Sequence, residues 1–170
     1  MPCLVHNGIS MIDSLAIAEY LEKTFPYASL TRQGATSYQE VIEKTSGFFP
    51  SLSALIKNKD PALDESLFQT LNAELDTLDT IISSTPGKFV CGVEITLADL
   101  YLLPQLYHAL VTVEHFKGVE MFHLDGSEPT RPALDNYVAR MLDLEEFNNK
   151  KCYYSVDQVI YGWKSARGEV

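Results

Sequence analysis

The chain opens with two short apolar runs separated by a turn dipeptide, a pattern that constrains the fold of its N-terminal end. Residues 3–6 and 10–12 predict two short strands, and Asn7-Gly8 lies between them. Both turn residues tolerate a positive φ, so the dipeptide favours a tight hairpin. Ser14 follows as the predicted N-cap of a helix whose apolar periodicity continues until Pro26 ends it. The sequence therefore predicts strand, turn, strand and helix, in that order.

The rest of the chain is predicted to be helical. From residue 37 onward, apolar residues recur at the spacing of an amphipathic helix, which predicts a bundle. The first of these helices contains Gly47 and Pro50, and a bend is predicted there. The other predicted elements are helices over residues 63–82 and 134–144, a last helix within residues 147–163, and a surface loop over residues 117–131.

A helix start at Thr96 is the sharpest local signal in the bundle. Thr96 at the N-cap and Asp99 three residues later form the pattern of a capping box, and Ile95 and Leu100 stand at the positions of a hydrophobic staple. The helix that follows is apolar on nearly every side, which predicts burial at the centre of the bundle. A capping box of this kind contributes about 1 kcal/mol. We therefore assign these residues a structural role and no chemistry.

Composition narrows the classes of partner. The 170 residues carry a formal net charge of −10, and no cluster of Lys and Arg interrupts it, so nucleic acid and anionic membrane surfaces are disfavoured. No apolar run reaches the roughly 18 residues that a transmembrane helix needs. Small molecules or proteins are the expected partners.

Candidate redox and metal residues are few. Cys3, Cys91 and Cys152 lack the spacing of a CxxC pair or a zinc site, so neither a disulfide framework nor a metal site is expected. Each is interpreted as a small buried hydrophobe, with redox activity as the alternative. No metal-ligand spacing is found among the histidines, which are His6, His108, His115 and His123.

The histidine at 108 and the aromatic tail admit two interpretations each. His108 is interpreted as a hydrogen-bonded packing residue, with a place near a substrate pocket between two structural units as the alternative. The tail aromatics are predicted to lie in the core or on a helix-docking surface, and they are Tyr153, Tyr154, Tyr161 and Trp163.

Several segments together resemble one protein family over nearly the whole chain. They are residues 49–52 with 57–61, residues 89–92 with 95–100, residues 103–108 and residues 159–163. Their pattern is similar to that of the glutathione S-transferase superfamily, and within it to the plant and algal glutathione-dependent dehydroascorbate reductases. The chloride intracellular channel-like proteins share part of this pattern.

The resemblance implies a mainly α fold with two parts. A partial thioredoxin-like remnant, a β-hairpin plus one helix, is expected over residues 1–26. A linker over residues 27–36 then leads to an all-α domain of glutathione S-transferase type over residues 37–170. A soluble protein of a reducing compartment, cytoplasm or chloroplast, is expected.

The resemblance also implies glutathione-binding residues at the N-terminal end. Pro2 matches the proline that presents the preceding backbone to glutathione, which makes Met1 the presenting residue. Asp13 and Ser14 match the acidic residue and serine that hold the γ-glutamyl end. Elementary chemistry agrees, because a helix N-terminus favours a carboxylate and Asp13 can accept from an ammonium group. The plainer alternatives are an ordinary helix cap for Asp13-Ser14 and an ordinary strand start for Pro2.

One departure from the family separates two hypotheses of function. The family's first strand, first helix and nucleophilic cysteine have no counterpart in this sequence, so no catalytic residue is assigned. The first hypothesis is a dehydroascorbate reductase-like or glutathione transferase-like protein, truncated and not catalytic as the chain stands, with glutathione and dehydroascorbate as ligands. The second is a non-catalytic interaction or assembly subunit, whose protein partner covers the exposed sheet edge. A chloride intracellular channel-like protein is a third, weaker hypothesis.

Overall fold

A computed structural model describes residues 2–32, 34–124, 129–148 and 154–170. Among these residues, a two-stranded antiparallel sheet precedes a set of helices. The strands are β1 (Leu4–His6) and β2 (Ile9–Met11). The helices are α1 (Ser14–Thr24), α2 (Tyr38–Lys44), α3 (Phe48–Lys57), α4 (Pro61–Ser84), α5 (Leu97–Lys117), α6 (Pro132–Leu142), α7 (Glu145–Asn148) and α8 (Val156–Ala166). The fold is mainly helical, as the sequence predicts.

The N-terminal hairpin forms at the predicted dipeptide. Asn7 and Gly8 have φ values of 49° and 77°, so both turn residues take the left-handed conformation that a tight hairpin requires. The register pairs Val5 with Ser10 across the two strands. His6 Nδ1 lies 2.9 Å from the hydroxyl oxygen of Tyr20, which ties the hairpin to α1.

The cap of α1 differs by one residue from the prediction. Asp13, and not Ser14, is the N-cap, and its Oδ1 accepts a hydrogen bond of 2.8 Å from the backbone N–H of Ala16. A carboxylate at the N-cap reaches this third helical N–H well, so Ser14 becomes the first residue of the helix. α1 ends at Thr24, ahead of Pro26, as predicted. No residue of α1 is fully buried.

The predicted bent helix is two separate helices. α2 ends at Lys44, and α3 begins at Phe48 after Gly47, so the bend becomes a break of three residues. Pro50 lies in the first turn of α3, where its missing N–H leaves no helical bond unmade. The domain division at residues 27–36 stays a prediction; a single turn of 3-10 helix, Pro26–Ala28, overlaps its start.

α5 is the central helix of the bundle, as its apolar character predicts. It runs from Leu97 to Lys117 through Pro104, and its buried residues include Leu102, Leu106 and Val113, whereas Leu100 and Pro104 are exposed. α3, α6 and α8 all pack against it, and α4 packs against α3 and α6. The fully buried core around it includes Leu52, Leu71, Leu102, Leu106, Tyr137 and Met141.

The capping box at the start of α5 is confirmed, and it is more heavily bonded than the sequence indicates. The Asp99 carboxylate accepts from the backbone N–H of Thr96 at 2.8 Å and from its hydroxyl at 3.0 Å. The same carboxylate accepts from the Val90 N–H and from the Tyr137 hydroxyl, each at 2.9 Å. Asp99 is completely buried, so four donors converge on one buried charge.

The end of α8 is fastened to two other helices. Arg167 donates from Nη1 to the carbonyl oxygens of Ile56 and Asn58, at the end of α3. Its guanidinium lies 4.8 Å from the ring centroid of Phe116 on α5. These contacts fix the last turn of α8 against the bundle.

The structure confirms some predictions about single side chains and contradicts others. The segment between α5 and α6 is not wholly a surface loop, because Phe122 is only 1% exposed and joins the core. Cys91 is buried as expected, but Cys3 is exposed. Of the tail aromatics, Trp163 is buried whereas Tyr154 and Tyr161 are exposed. Cys152 and Tyr153 lie outside the described residues.

Candidate functional site

A cleft lies between α1 and the helical bundle, with a cavity volume of about 640 Å³. The start of α1, the first turns of α3 and the N-terminal half of α5 form its walls. The lining residues are Ser14, Leu15, Ala18, Ser46, Phe49, Pro50, Leu97, Leu100, Tyr101, Pro104, Gln105 and His108. Most of these side chains are apolar, and the polar groups are few and separated.

Ser14 brings one predicted ligand residue to this cleft. It is the first residue of α1 and is exposed, so its hydroxyl and the free N–H groups of the first helical turn lie at the cleft wall. The preceding Asp13 is also exposed, and one of its carboxylate oxygens is used by the cap bond to Ala16. The arrangement can accept a small carboxylate at the helix N-terminus.

Of the other predicted ligand residues that the structure describes, none lines the cleft. Pro2 and Asp13 are both exposed, and both are absent from the lining of the cavity. Met1 lies outside the described residues. Within the described part of the predicted set, only Ser14 lines the cleft, and Asp13 is its neighbour in the chain.

His108 forms the far wall of the cleft and is hydrogen-bonded, as the packing interpretation of the sequence predicts, whereas the substrate-pocket interpretation stays a prediction. Its Nδ1 accepts a hydrogen bond of 2.9 Å from the indole N–H of Trp163, on α8. It also lines the cleft that contains Ser14. Burial lowers the pKa of His108 below its ordinary value. The ring is therefore neutral near pH 7, which suits a hydrogen-bonding role more than an ionic one.

Two cleft residues carry polar or aromatic character that sequence reasoning did not single out. Phe49 is one of the apolar residues whose helical spacing predicts the bundle, yet it is partly exposed and lines the cleft. Gln105 donates from its side-chain amide to the Tyr101 carbonyl, while its Oε1 is buried without a partner among the described residues. Helical spacing could have indicated Gln105, because it lies three residues before His108 and so on the same face of α5.

A second cavity adjoins the cleft behind His108. It has a volume of about 760 Å³ and lies between α3 and α8. Phe49 and His108 line both cavities, and the second is otherwise formed by residues such as Lys57, Tyr161 and Trp163. His108 thus stands at the boundary between two spaces, each large enough for a small organic ligand.

The two described cysteines differ from an activated nucleophile. Burial raises the pKa of the Cys91 thiol, and the nearby Asp99 carboxylate acts in the same direction. A raised pKa keeps the sulfur protonated and unreactive. Cys3 is exposed, and its Sγ lies 3.7 Å from Ser10 Oγ. Neither residue lines the cleft.

Neither a metal-binding group of side chains nor a membrane-spanning helix is found among the described residues. No group of three or more His, Cys, Asp or Glu side chains there is arranged to bind a metal ion. The helices described there are each too short or too polar to cross a bilayer.

Comparison with known proteins identifies relatives that are similar to this chain in sequence. No protein-family model matches it. Glutathione S-transferase DHAR2 of Arabidopsis thaliana is 28% identical over 165 residues, which cover 97% of this chain and 70% of that protein. Human chloride intracellular channel protein 3 is 31% identical over 134 residues, covering 69% of this chain and 55% of that protein. The chain thus spans only part of the relatives that it matches.

A solved structure gives the same result in three dimensions. The crystal structure of Chlamydomonas reinhardtii dehydroascorbate reductase superposes with a TM-score of 0.74 at 27% identity, covering 97% of this chain and 72% of that one. The hairpin, the following helix and the helical bundle therefore belong to one known architecture. In sequence and in fold the chain is similar to members of the glutathione S-transferase superfamily. Within that superfamily its sequence and fold are similar to those of the dehydroascorbate reductases.

Proposed function

We propose that this chain provides part of a glutathione site and the acceptor pocket of a dehydroascorbate reductase-like protein. The observation that carries this proposal is the position of Ser14, which opens the first turn of α1 onto a cleft closed by His108. The γ-glutamyl carboxylate binds the free N–H groups and hydroxyl of that turn, and the γ-glutamyl ammonium binds Asp13. The acceptor, dehydroascorbate or a similar small oxygen-rich molecule, enters the cleft beside the thiol end.

We further propose that the chain does not carry out the redox step by itself. In the reaction, a cysteine thiolate adds to a carbonyl carbon of dehydroascorbate. Glutathione then attacks that cysteine sulfur and breaks the carbon–sulfur bond, so that ascorbate leaves with the electron pair and a mixed disulfide remains. A second glutathione attacks the mixed disulfide, which frees the cysteine thiolate and leaves oxidised glutathione. This step needs a thiol with a lowered pKa. The raised pKa of Cys91 and the position of Cys3 outside the cleft support binding without turnover. Free thiols at both positions support a reducing compartment such as cytosol or chloroplast.

A binding experiment tests the glutathione part directly. The probe is S-methylglutathione, which cannot form a disulfide, and it is titrated into the ¹⁵N-labelled chain. The amides of Ser14, Leu15 and Ala16 are expected to shift together and to saturate. In Asp13→Asn the amide side chain still caps α1 but has lost its charge, so the helix remains while ligand affinity falls by about tenfold, the value of one charge-assisted hydrogen bond.

Asp60→Asn is the matched control for that experiment. Asp60 caps α4 in the same way, accepting from the Ala62 N–H at 3.0 Å, and it does not line the cleft. The control is expected to bind S-methylglutathione as the wild type does. Saturating shifts that are equal in all three proteins would remove Asp13 from the site, and the absence of any shift in the wild type would refute the proposal.

A second candidate function rests on the apolar surface of the hairpin. Val5, Ile9 and Ile12 are 69%, 49% and 59% exposed, and Phe25 and Tyr27 near the end of α1 are also exposed. A two-stranded sheet is marginally stable alone, and its outer edges offer unpaired backbone groups. The occupant we propose for this second candidate is a strand of a partner polypeptide, which makes the chain an assembly subunit.

The native mass of the chain in its source separates the two functions. An assembly subunit is expected in a complex whose β1 amides are protected from hydrogen exchange. Val5→Lys should dissociate that complex, whereas Val93→Lys, at an equally exposed position far along the chain, should not. A monomer that binds glutathione contradicts the assembly function.

A further inference from the structure

The hydrogen bond between Trp163 and His108 determines which nitrogen of the imidazole carries the proton. An indole N–H can only donate, so Nδ1 of His108 must be the acceptor in their 2.9 Å bond. In a neutral imidazole the proton then lies on Nε2. In this structure His108 therefore has a lone pair on Nδ1 that faces α8 and an N–H donor at Nε2.

The ring of His108 is also held in a single orientation. Phe49 meets it edge to face, with centroids 6.3 Å apart and an interplanar angle of 74°. Trp163 does the same from α8, at 6.1 Å and 65°. Aromatic contacts of this geometry are favourable and resist rotation of the ring. Nε2–H is thus a neutral donor with a fixed direction.

That direction leads away from α8. The two ring nitrogens of imidazole point to widely separated sides, so an Nδ1 that faces Trp163 turns Nε2–H away from α8. Of the two cavities that His108 lines, the cleft shared with Ser14 is the one whose lining includes no residue of α8. Within the described ranges, no residue accepts a hydrogen bond from Nε2. Gln105, on the same face of α5, adds the buried acceptor Oε1, which also has no described partner.

We propose that His108 is a ligand-binding and specificity-determining residue, whose Nε2–H donates to a carbonyl or enol oxygen of the acceptor molecule in the cleft. Trp163 is the positioning residue that holds the tautomer and the ring plane. The Gln105 carbonyl oxygen takes a hydroxyl of the same molecule, so the pair selects ligands with adjacent carbonyl and hydroxyl oxygens. This inference rests on the proposed function, because it identifies the polar groups of the same acceptor pocket.

Two substitutions at His108 separate its two nitrogens. His108→Asn keeps an acceptor near the Nδ1 position for Trp163 but has no donor at the Nε2 position. His108→Gln places an amide N–H near the Nε2 position. The full chain is titrated with ascorbate, the stable reduced form of the acceptor. His108→Asn is expected to weaken ascorbate binding by about 5- to 10-fold, the range for one neutral hydrogen bond, and His108→Gln to restore most of it.

A spectroscopic measurement tests the role of Trp163. Long-range ¹⁵N correlation spectra of the wild type near pH 7.5 are expected to show a protonated Nε2 and an unprotonated Nδ1 at His108. In Trp163→Phe the ring size is nearly kept but the N–H donor is lost, so both tautomers are expected and ascorbate binds more weakly. An Nδ1–H tautomer in the wild type would overturn the proposal even if ascorbate binds.

A parallel titration with S-methylglutathione distinguishes failure of this inference from failure of the proposed function. Loss of ascorbate affinity in His108→Asn with unchanged S-methylglutathione affinity supports the role of His108. Equal ascorbate affinity in wild type and His108→Asn, or no ascorbate binding while S-methylglutathione binds, overturns the role of His108 alone. A wild-type chain that binds neither probe overturns both proposals.

Discussion

Removing the carboxylate of Asp99 is expected to destabilise the chain far more than removing an ordinary helix cap. Asp99 is fully buried and accepts from Val90, Thr96 and Tyr137. Asp99→Ala leaves two backbone N–H groups and the hydroxyls of Thr96 and Tyr137 without this acceptor. At about 1–3 kcal/mol for each unsatisfied buried group, partly relieved by entering water, the expected loss in the free energy of unfolding is about 3–5 kcal/mol.

The matched comparison is Asp60→Ala at the start of α4. Asp60 is also an N-cap aspartate, but it is exposed and satisfies only the Ala62 N–H. Its removal is expected to lower the free energy of unfolding by about 1 kcal/mol. Urea unfolding followed by far-ultraviolet circular dichroism measures both variants, and an unchanged m-value shows that the change is in stability.

Two further variants keep the test decisive if Asp99→Ala does not fold. Asp99→Asn keeps the shape but turns an amide N–H₂ towards one of the backbone donors, for an expected loss of about 1–3 kcal/mol. Tyr137→Phe removes one of the donors, and its effect should be smaller in the Asp99→Asn background because the two groups share a bond. If Asp99→Ala loses no more free energy of unfolding than Asp60→Ala, the reasoning is refuted, because the four hydrogen bonds to the Asp99 carboxylate would then stabilise the fold no more than a single helix cap does.

Three other outcomes are expected. Burial lowers the pKa of His108 below 6.5, so the unfolded chain binds more protons than the folded chain as the pH falls below 6.5. The free energy of unfolding therefore decreases as the pH drops. Urea titrations at several pH values should show that His108→Asn lacks this contribution to the pH dependence of the free energy of unfolding. The Lys117 ammonium, 2.6 Å from an oxygen of Asp64, lowers the pKa of that carboxyl below 3.8. This pairing stabilises the folded chain at pH values above 3.8, and the stabilisation is lost as the pH falls through the pKa of Asp64 in the folded chain. In Lys117→Met the Asp64 pKa, followed by carboxyl NMR, should rise; an unmoved value would contradict the pairing. In Gly8→Ala the added Cβ meets no neighbouring atom within 4 Å, but the alanine must hold a φ of +77°. The free energy of local opening of β1 and β2 should therefore fall by about 1–2 kcal/mol. Hydrogen exchange should become correspondingly faster in these two strands, with little change elsewhere.

Local rules were enough for the features that depend on neighbours in sequence. The turn at Asn7-Gly8 follows from the φ preferences of two adjacent residues. The capping box at Thr96 and Asp99 follows from a spacing of three residues, and the burial of α5 follows from its composition. Each of these depends on interactions within one turn of chain, which a sequence displays directly.

Features that depend on distant partners could not be predicted in this way. The bond from Trp163 to His108 joins residues 55 positions apart, and the bond from Tyr137 to Asp99 joins residues 38 apart. Phe122 is buried in the bundle, although the Gly and Pro residues within and beside residues 117–131 predict a surface loop there. The one-residue error at the α1 cap has a different origin, since aspartate and serine are nearly equal N-cap residues and their side-chain geometry decides between them.

The fastening of Arg167 to the end of α3 has a consequence for the middle of the molecule. Arg167 follows α8 directly and secures its last turn, and Trp163 lies one turn earlier on the same helix. A chain trimmed after Ala166 would lose this anchor, and the indole that orients the imidazole of His108 would be free to drift. Arg167, one turn beyond Trp163, would therefore help to determine which nitrogen of His108 faces the cleft.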